Sequence, residues 1–373
     1  MQISRLLDPD CASGSHPTDG ETSYVRYATP TPCQQACCFI IPPHMSEHIA
    51  SRGSVAQKKL ALQSLALSSF LRGARSNQSL IRGAASVSVK RRTIFDAGQR
   101  QTLPGTLVRG EGAPATKDVA VTEAYDSSGT VYDFFLAAFK RNSVDDKGLR
   151  LDSSVHFGRN YDNAFWNGQQ MVYGDGDGSL FNRFTIALDV IGHELTHGVT
   201  QYAAALQYQD EPGALNESMS DVFGSLVKQW KRKQTADQAD WLIGAGLLAK
   251  GVKGVALRSM IAPGTAYDDP VLGKDPQPAN MKDYVKGHDD NGGVHINSGI
   301  PNLAFATTAR RLGGKAWDVA GTIWYTALTQ RLRATSGFMD ARVATLSVAV
   351  DLYGKTSSAY KAVKAGWDKV GVK

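Results

Sequence analysis

Two histidines and a glutamate lie at a spacing that suits a catalytic metal ion. His193, Glu194 and His197 belong to the stretch TIALDVIGHELTHGVT, in which apolar residues recur at helical spacing. Residues four apart share one face of a helix, about 5–6 Å apart, so both imidazoles can reach one zinc ion while Glu194 leans to the same side. Because this pattern also arises by chance, two unrelated surface histidines are the alternative at this point.

A third metal ligand is expected from the segment GALNESMSD at 213–221. The segment follows at a distance that lets the first helix end, turn and return antiparallel. Glu217 can then supply the third ligand, since a catalytic zinc usually takes three protein ligands and leaves one position for water. Asp221, one turn further on, can accept the other ring N–H of a ligating histidine and fix its tautomer. The alternative is that both carboxylates belong to a solvated helix face.

The elements around these residues follow from local patterns. Residues 93–110 predict two strands with a turn at Pro104 and Gly105, and residues 116–142 predict a helix broken at Gly129. Residues 151–184 alternate and carry Asn-Gly and Gly-Asp-Gly turns, which is typical of antiparallel hairpins. Beyond residue 185 the pattern is mainly helical. A β-rich region is therefore expected to precede a helical one.

Composition and charge exclude several classes of protein. The 373 residues include 42% hydrophobic and 20% charged residues, which excludes a wholly disordered or collagen-like chain. Residues 1–93 hold 11 basic and 5 acidic residues, so they carry the whole net charge of +6, and the other 30 basic and 30 acidic residues balance. A phosphate-binding surface is therefore not expected beyond residue 93. RNA binding by the basic stretch 52–92 is a weak alternative to a solvated, cleavable linker.

The start of the chain gives further limits. All four cysteines precede residue 40, so the remainder folds without a disulfide. No apolar run approaches the roughly 18 residues of a membrane span, and Asp8 and Asp10 stand where a secretory signal would have its apolar core. We expect neither a Sec signal nor a membrane anchor. Residues 57–71 have leucines at helical spacing within an otherwise polar appendage.

Five motifs in order closely resemble the thermolysin family of zinc metallopeptidases, from about Thr93 to the C-terminus. Along the chain they are NAFWNGQQMVYGDGDG (163–178), HELTHGVT (193–200), GALNESMSD (213–221), ALRSM (256–260) and DNGGVHINSG (290–299). The short head with its FIIPPHM segment (39–45) resembles the protealysin-like branch, whose precursors carry a brief propeptide. The resemblance implies an α+β fold of two lobes, with a propeptide and linker at 1–92, a β-rich lobe at 93–203 and a helical lobe at 204–373.

The resemblance also implies catalytic roles. His193, His197 and Glu217 would bind one catalytic zinc, and Glu194 would act as the general base that takes a proton from the attacking water. Tyr208 and His295 match the two donors to the developing oxyanion, Asp290 matches the carboxylate that orients that histidine, and Asp221 matches the one that holds a zinc ligand. Without the family, His295 in its glycine-rich loop would more often be a structural turn residue.

Substrate contacts are implied in the same way. Asn163 and Ala164 match a strand edge that binds an extended peptide, and Arg258 matches the group that grips a carbonyl just beyond the scissile bond. The apolar pocket on the leaving side is matched by four residues, Phe181, Phe184, Val190 and Leu257. We therefore expect endoproteolytic cleavage on the amino side of bulky hydrophobic residues. Plain core packing is a credible alternative for Val190 and less so for the others.

The family's paired-calcium site is not expected in this chain. Asp189 and Asp240 match two of its carboxylates, but Lys228, Leu242 and Ala245 occupy positions that are acidic in calcium-binding relatives. Calcium needs six to eight oxygen ligands, and an ammonium group would repel it. We predict that Lys228 replaces the ion and pairs with Asp189. The run GDGDG (174–178) also suggests calcium, yet a tight turn explains it with fewer assumptions.

The head is expected to hold the precursor inactive. Steric blocking of the cleft by the FIIPPHM segment is the favoured mechanism, and a thiolate of Cys37 or Cys38 in the open zinc position is the alternative. The expected partners are polypeptide substrates and the chain's own propeptide, with a monomer and no nucleic acid or membrane. Family resemblance favours secretion, and the cytoplasm is the alternative.

Two other functions are compatible with parts of the sequence. A catalytically silent, zinc-stabilised peptide-binding module would use the same ligands, although it would have no need of Glu194. A nucleic-acid-binding protein would use the basic head, and its binding would be confined to residues 1–93 and would weaken with salt.

Overall fold

The computed structural model describes residues 38–75 and 89–373, with side chains described up to Ser69 in the first range. The expected tail and most of the expected linker, including Cys11, Cys33 and Cys37, lie outside the described residues. The helix expected at 57–71 is present within a longer helix, Val55–Arg75. Mixed α+β architecture, with the strands mostly before residue 175 and the helices mostly after it, confirms the expected fold class.

A six-stranded sheet forms the N-terminal half. Its strands are β1 (Cys38–Phe39), β2 (Arg92–Asp96), β3 (Thr106–Gly110), β4 (Leu151–Val155), β5 (Ala164–Trp166) and β6 (Met171–Tyr173). Their spatial order is β1-β5-β6-β4-β2-β3. Because β1 belongs to the head, the head supplies the edge strand beside β5.

The expectation of antiparallel hairpins throughout 151–184 is only partly correct. Strands β5 and β6 do form an antiparallel hairpin, but β4 pairs in parallel with both β2 and β6. The connection from β2 to β4 passes through a long helix, which is how parallel neighbours are joined. Alternation along one strand identifies the buried face but not the direction of the neighbouring strand.

The first long helix after the head, α3 (Val119–Phe139), runs through Gly129 without the expected break. A Cβ at residue 129 would lie 2.3 Å from Nη1 of Arg92, whose guanidinium donates to the carbonyl of Tyr125 at 3.1 Å. The glycine therefore makes room for an arginine that crosses the helix. The carboxylate of Asp118 caps the helix N-terminus by accepting from two backbone N–H groups.

The remaining long elements are helices. They are α1 (Pro43–Arg52) and α2 (Val55–Arg75) in the head, and α4 (Leu188–Tyr202), α5 (Asp210–Arg232), α6 (Asp290–Asn297), α7 (Gly299–Leu312), α8 (Thr322–Gln330), α9 (Phe338–Tyr353) and α10 (Ser358–Lys369). Two short hairpins, β7 (Leu242–Ile243) with β8 (Arg258–Ser259) and β9 (Asp268–Asp269) with β10 (Gly273–Lys274), follow α5.

Helices α4 and α5 pack with their backbones unusually close. A Cβ at Gly224 would lie 2.4 Å from the carbonyl oxygen of Asp189, and one at Gly192 would lie 2.9 Å from the Cα of Gly224. Residues later in α4 contact residues earlier in α5: Asp189 pairs with Lys228, whereas His193 pairs with Asp221. The two helices are therefore antiparallel, as expected, and bring their inner faces together.

No helix among residues 38–75 and 89–373 is both long and apolar enough to cross a bilayer.

A charged bridge ties the start of α3 to the loop after β6. Nδ1 of His156 lies 2.8 Å from Asp175, and its Nε2 lies 2.8 Å from Asp118. Bonding to Asp175 and then Asp118 raises the pKa of His156 to about 9, although partial burial opposes the shift. A pKa raised on folding stabilises the protein fully below the unfolded value of about 6.5, and this contribution is lost as the pH rises through 9.

We therefore predict a pH-dependent component of stability that depends on His156. The free energy of unfolding should fall between about pH 6.5 and 9. His156→Gln should remove this fall, and Asp118→Asn, which keeps the helix cap, should reduce it. Urea unfolding followed by circular dichroism at several pH values measures the effect. An unchanged pH dependence in His156→Gln would contradict the assignment.

Candidate active site

Three side chains from α4 and α5 converge on one buried point. Nε2 of His193 and Nε2 of His197 lie 3.0 Å apart, and each lies 3.4 Å from a carboxylate oxygen of Glu217. All three residues are buried. The one-turn spacing on α4 and the antiparallel return of α5 thus produce the arrangement that the motif predicts.

The outer nitrogens of both imidazoles are held by polar partners. Nδ1 of His193 lies 2.8 Å from Asp221, the contact expected from the sequence. Nδ1 of His197 lies 2.9 Å from the side-chain oxygen of Asn216 and 3.1 Å from the hydroxyl of Ser220. Such contacts fix the tautomer and leave Nε2 to face the shared point.

Charge and burial at this point fit a divalent cation. Burial lowers the pKa of His197 to about 3, which keeps the imidazole in the neutral form that binds metals. Although burial opposes it, the charge of His295 and the contact with His193 hold the pKa of Glu217 well below its usual range. Oε2 of Glu217 is buried without a hydrogen-bond partner among the described residues. Asp221 and Glu217 raise the pKa of His193 to about 9 although burial opposes this, so a metal ion would displace a proton from its ring. Two facing imidazole nitrogens and a carboxylate form a ligand set typical of catalytic zinc.

Glu194 lies beside the three convergent side chains. Its Oε2 accepts the backbone N–H of Trp166 in β5 at 3.0 Å, while its buried Oε1 has no hydrogen-bond partner in the described part of the chain. Burial raises the pKa of Glu194 to about 8. A cation held by the neighbouring ligands would favour its carboxylate form, because bound metal ions are the largest local charges in such sites.

Tyr208 and His295 lie together beside Glu217. The hydroxyl of Tyr208 donates to Glu217 and lies 3.1 Å from Nε2 of His295. Asp290 holds the imidazole through Nδ1 at 2.6 Å and accepts the backbone N–H of the same histidine at 2.9 Å. Asp290 and His295 both belong to α6, whose backbone leaves helical geometry through positive φ at Gly292, where a Cβ would lie 2.1 Å from Asp210. His295 is therefore in the site and is not only a turn residue.

The head occupies the residues expected to bind substrate backbone. The carbonyl of Ala164 accepts the N–H of Ile40 at 3.1 Å, and the side chain of Asn163 accepts the N–H of Ile41 at 3.0 Å. Arg258 donates to the carbonyl of Ile40 at 3.3 Å, and its guanidinium pairs with both carboxylate oxygens of Asp221 at 2.9 Å. These residues therefore bind an extended peptide segment in this structure.

The four residues expected to line an apolar pocket are Phe181, Phe184, Val190 and Leu257. All four are at most 2% exposed and belong to the main core cluster, which also contains Ile40. Phe181 and Phe184 pack with ring centroids 5.9 Å apart. Full burial is compatible with a filled pocket and with plain core packing, so the pocket assignment stays a prediction.

Lys228 pairs with Asp189, as expected. Its ammonium lies 2.8 Å from Asp189 and 2.7 Å from Asp240, and donates to the carbonyl of Leu242 at 2.6 Å. The ammonium thus stands among oxygens that a calcium ion would otherwise share. In the GDGDG run, Asp175 binds His156 and Asp177 accepts three successive backbone N–H groups, which is the arrangement of a tight turn.

Sequence reasoning missed several residues that position the site. Asn216 and Ser220 hold His197, and Asn302 donates to Asp221 at 2.8 Å. Asn216 precedes Glu217 and Ser220 follows it by three residues on α5. These positions could have indicated that both side chains lie near the histidines. Asn302 gives no such signal, because its approach depends on how α7 packs.

The fold and the site together define a zinc metallopeptidase. Residues 82–201 match the family model described as thermolysin metallopeptidase, catalytic domain, and residues 204–372 match its alpha-helical domain. An extracellular metalloprotease of Pectobacterium carotovorum subsp. carotovorum is 51% identical over 342 residues, covering 90% of this chain and 96% of that relative. Thermolysin of Alicyclobacillus acidocaldarius subsp. acidocaldarius is 43% identical over 287 residues, which cover 74% of this chain and 50% of that protein.

A solved structure of a relative has the same fold as this chain. The precursor of protealysin, a metalloproteinase from Serratia proteamaculans, is 53% identical, has a TM-score of 0.83, and is matched over 90% of this chain and 100% of that one. The chain belongs to the thermolysin family of metallopeptidases. It is a zinc-dependent metalloendopeptidase made with a propeptide, which confirms the function predicted from the motifs.

The pairing of Lys228 predicts a large loss of stability on truncation. Lys228→Met leaves the buried Asp189 carboxylate unpaired, which should lower the free energy of unfolding by about 3–5 kcal/mol. The matched control is Lys364→Met, because the Lys364–Asp368 pair is exposed and should contribute about 1 kcal/mol or less. Chemical denaturation of the two variants, each also carrying Glu194→Gln to prevent autolysis, measures both losses of stability. Equal losses in the two variants would contradict the structural role of Lys228.

Proposed function

We propose that the mature enzyme hydrolyses internal peptide bonds on the amino side of bulky hydrophobic residues. The observation that carries the proposal is the extended head segment, whose backbone lies on Asn163, Ala164 and Arg258 beside the three convergent ligands. A polypeptide substrate would use the same contacts. Its side chain following the scissile bond would enter the pocket assigned to Phe181, Phe184, Val190 and Leu257.

Each residue has a distinct role in this proposal. His193, His197 and Glu217 hold zinc, which when bound makes water a nucleophile near neutral pH and polarises the carbonyl. Glu194 accepts a proton from the attacking water and delivers it to the leaving amine. Tyr208 and His295 donate to the oxygen that gains negative charge, and Asp290 keeps His295 oriented for this. Asp221 positions both His193 and Arg258, so it acts through them.

A zinc-stabilised binding module without activity is the competing proposal. Such a module would need the three ligands but would gain nothing from a buried carboxylate aimed beside them. Oε1 of Glu194 is buried with no hydrogen-bond partner among the described residues, and this costly position supports a role in proton transfer.

A proteomic digestion tests the reaction and its specificity together. Denatured protein mixed with mature enzyme should yield new N-termini dominated by Leu, Ile, Phe and Val, and zinc chelation should abolish them. Glu194→Gln should keep bound zinc, measured by elemental analysis, and lose turnover by at least about 10²-fold. Persistent cleavage by Glu194→Gln would contradict the role of Glu194. New termini of no preferred type would contradict the pocket.

The head keeps the precursor inactive by filling the cleft. Phe39 and Ile40 are at most 2% exposed, so the segment leaves no room for a second peptide at these positions. The alternative raised by the sequence also gains support for Cys38, whereas Cys37 lies outside the described residues. The sulfur of Cys38 and one ligand atom each from His197 and Glu217 all lie within 4.8 Å of one another. A thiolate there would take the zinc position needed by water.

Weakening the head should therefore raise the activity of the intact precursor. Ile40→Asp would bury an unpaired carboxylate, which costs enough free energy to disfavour docking. The initial rate on a small fluorogenic peptide, measured before any processing is visible on a gel, should increase relative to the parent. Ile40→Val should leave it nearly unchanged. Equal initial rates in Ile40→Asp and the parent would contradict inhibition by docking.

Three further predictions concern the setting of the enzyme. Calcium is not required at the paired site, since Lys228 lies between Asp189 and Asp240. Export from the cell is supported by relatives that are named extracellular metalloproteases. Action as a monomer without nucleic-acid or membrane partners stays a prediction from the sequence.

A further inference from the structure

We propose that the head is bound as a substrate, with the Phe39–Ile40 peptide bond in the scissile position, and that this bond is the first intramolecular processing site. This inference rests on the proposed function, because it uses the same cleft and the same residues. It adds the register of the bound segment, the bond that is cut and the side chain that delays the cut.

The contacts on the carboxyl side of this bond give the register. The N–H of Ile40 donates to Ala164, the carbonyl of Ile40 accepts from Arg258, and the backbone of Ile41 exchanges hydrogen bonds with the side chain of Asn163 at 3.0 and 3.4 Å. Every backbone polar group from the N–H of Ile40 to the carbonyl of Ile41 is therefore satisfied by the cleft. The amide nitrogen of Ile40 is the leaving group in this register.

The contacts on the amino side agree. The carbonyl oxygen of Phe39 lies 2.9 Å from Nε2 of His295, one of the two proposed oxyanion donors. Upstream, Cys38 and Phe39 pair with Trp166 and Phe165 as an antiparallel strand. The N–H of Trp166 binds Glu194, so this strand pairing also aligns the head with the general base. The bond held between the two sets of contacts is Phe39–Ile40.

The side chains suit a substrate. Ile40 is bulky, branched and fully buried, as the residue after the scissile bond should be. Phe39 packs at 5.1 Å, between ring centroids, against Phe165 and belongs to an aromatic cluster with Phe157 and Tyr161. Neither position carries the proline or buried charge that would block cleavage.

Cys38 explains why a substrate-like segment can persist. Its side chain packs with Tyr208 and Val294, and its sulfur lies near ligand atoms of His197 and Glu217. A Cys38 thiolate bound to the zinc ion would exclude the attacking water and would leave the rest of the head segment in place. When the thiol leaves, water enters and hydrolysis becomes possible.

The chemical step needs no other reactant. Water adds to the carbonyl carbon of Phe39, the bond between that carbon and the nitrogen of Ile40 breaks, and Glu194 transfers a proton from the water to that nitrogen. The second proton of the water also passes to this nitrogen, so the products are a chain ending in the carboxylate of Phe39 and a chain beginning with the ammonium group of Ile40.

Cys38→Ala in the full-length chain tests the proposal. Intact mass and N-terminal sequencing should show a fragment beginning Ile-Ile-Pro, formed at least about tenfold faster than in the parent. The rate should not depend on precursor concentration, because the cut occurs within one molecule. The double variant Cys38→Ala, Glu194→Gln should stay intact, and Cys38→Ala, Ile40→Asp should not be cut at this bond.

A second measurement reads the thiol directly. In the Glu194→Gln precursor loaded with cobalt in place of zinc, a thiolate ligand should give a sulfur-to-metal charge-transfer band in the near ultraviolet. The band should vanish in Cys38→Ala and stay in Ser68→Ala, a buried head residue in α2. Absence of the band in the parent would overturn the explanation for the delay.

A peptide assay keeps the proposal testable if Cys38→Ala folds poorly. Mature enzyme should cut a peptide of residues 34–45, with alanine at 37 and 38, between Phe39 and Ile40. Cleavage only at other bonds, in the chain and in the peptide, would overturn the register. Failure of the proposed function differs from this outcome, because the enzyme would then also leave a denatured protein mixture uncut.

Discussion

The buried carboxylate of Asp221 joins the candidate metal site to the cleft that holds the head. One oxygen holds Nδ1 of His193, both oxygens pair with the guanidinium of Arg258, and Asn302 donates to the second oxygen. Arg258 and its neighbours hold the pKa of Asp221 at about 2 although burial opposes this, so the group keeps its charge. A fully desolvated charge is tolerated only when paired and hydrogen-bonded, as it is here. The same carboxylate therefore holds both His193 and Arg258, the residue that binds the head backbone.

The close contact between α4 and α5 is what allows this anchor to exist. Gly192 and Gly224 let the helices approach until backbone meets backbone, which brings Asp221 and Glu217 within reach of the histidines. A side chain at either glycine would separate the helices by more than the tolerance of metal-ligand bonds, which is about 0.2 Å. Lys228 of α5 forms a buried ion pair with Asp189 of α4 at the other end of the same interface. Backbone packing, a buried ion pair and the ligand set thus act together.

Local patterns predicted much of this because the relevant geometry is local. The one-turn spacing of His193 and His197, and the antiparallel return to Glu217, follow from helix periodicity and chain length alone. The parallel pairing of β4 was missed because alternation reports a face and not a partner, and Gly129 was misread because its reason is Arg92 from another element. Asn302 was missed for the same reason. Roles for Tyr208 and Asn163 came only from family resemblance, since neither stands in a chemically telling local pattern.

In the proposed mechanism, a substrate and the inhibitory head bind their backbones in the same way and differ in the group that lies next to the scissile carbonyl. The edge of β5, Asn163 and Arg258 bind main-chain groups, so they cannot distinguish the head from any other extended segment. Tethering gives the head a high effective concentration and lets it outcompete other segments without special affinity. The choice between inhibition and hydrolysis must then depend on a group that substrates lack. Cys38, beside His197 and Glu217, is such a group within the described part of the head.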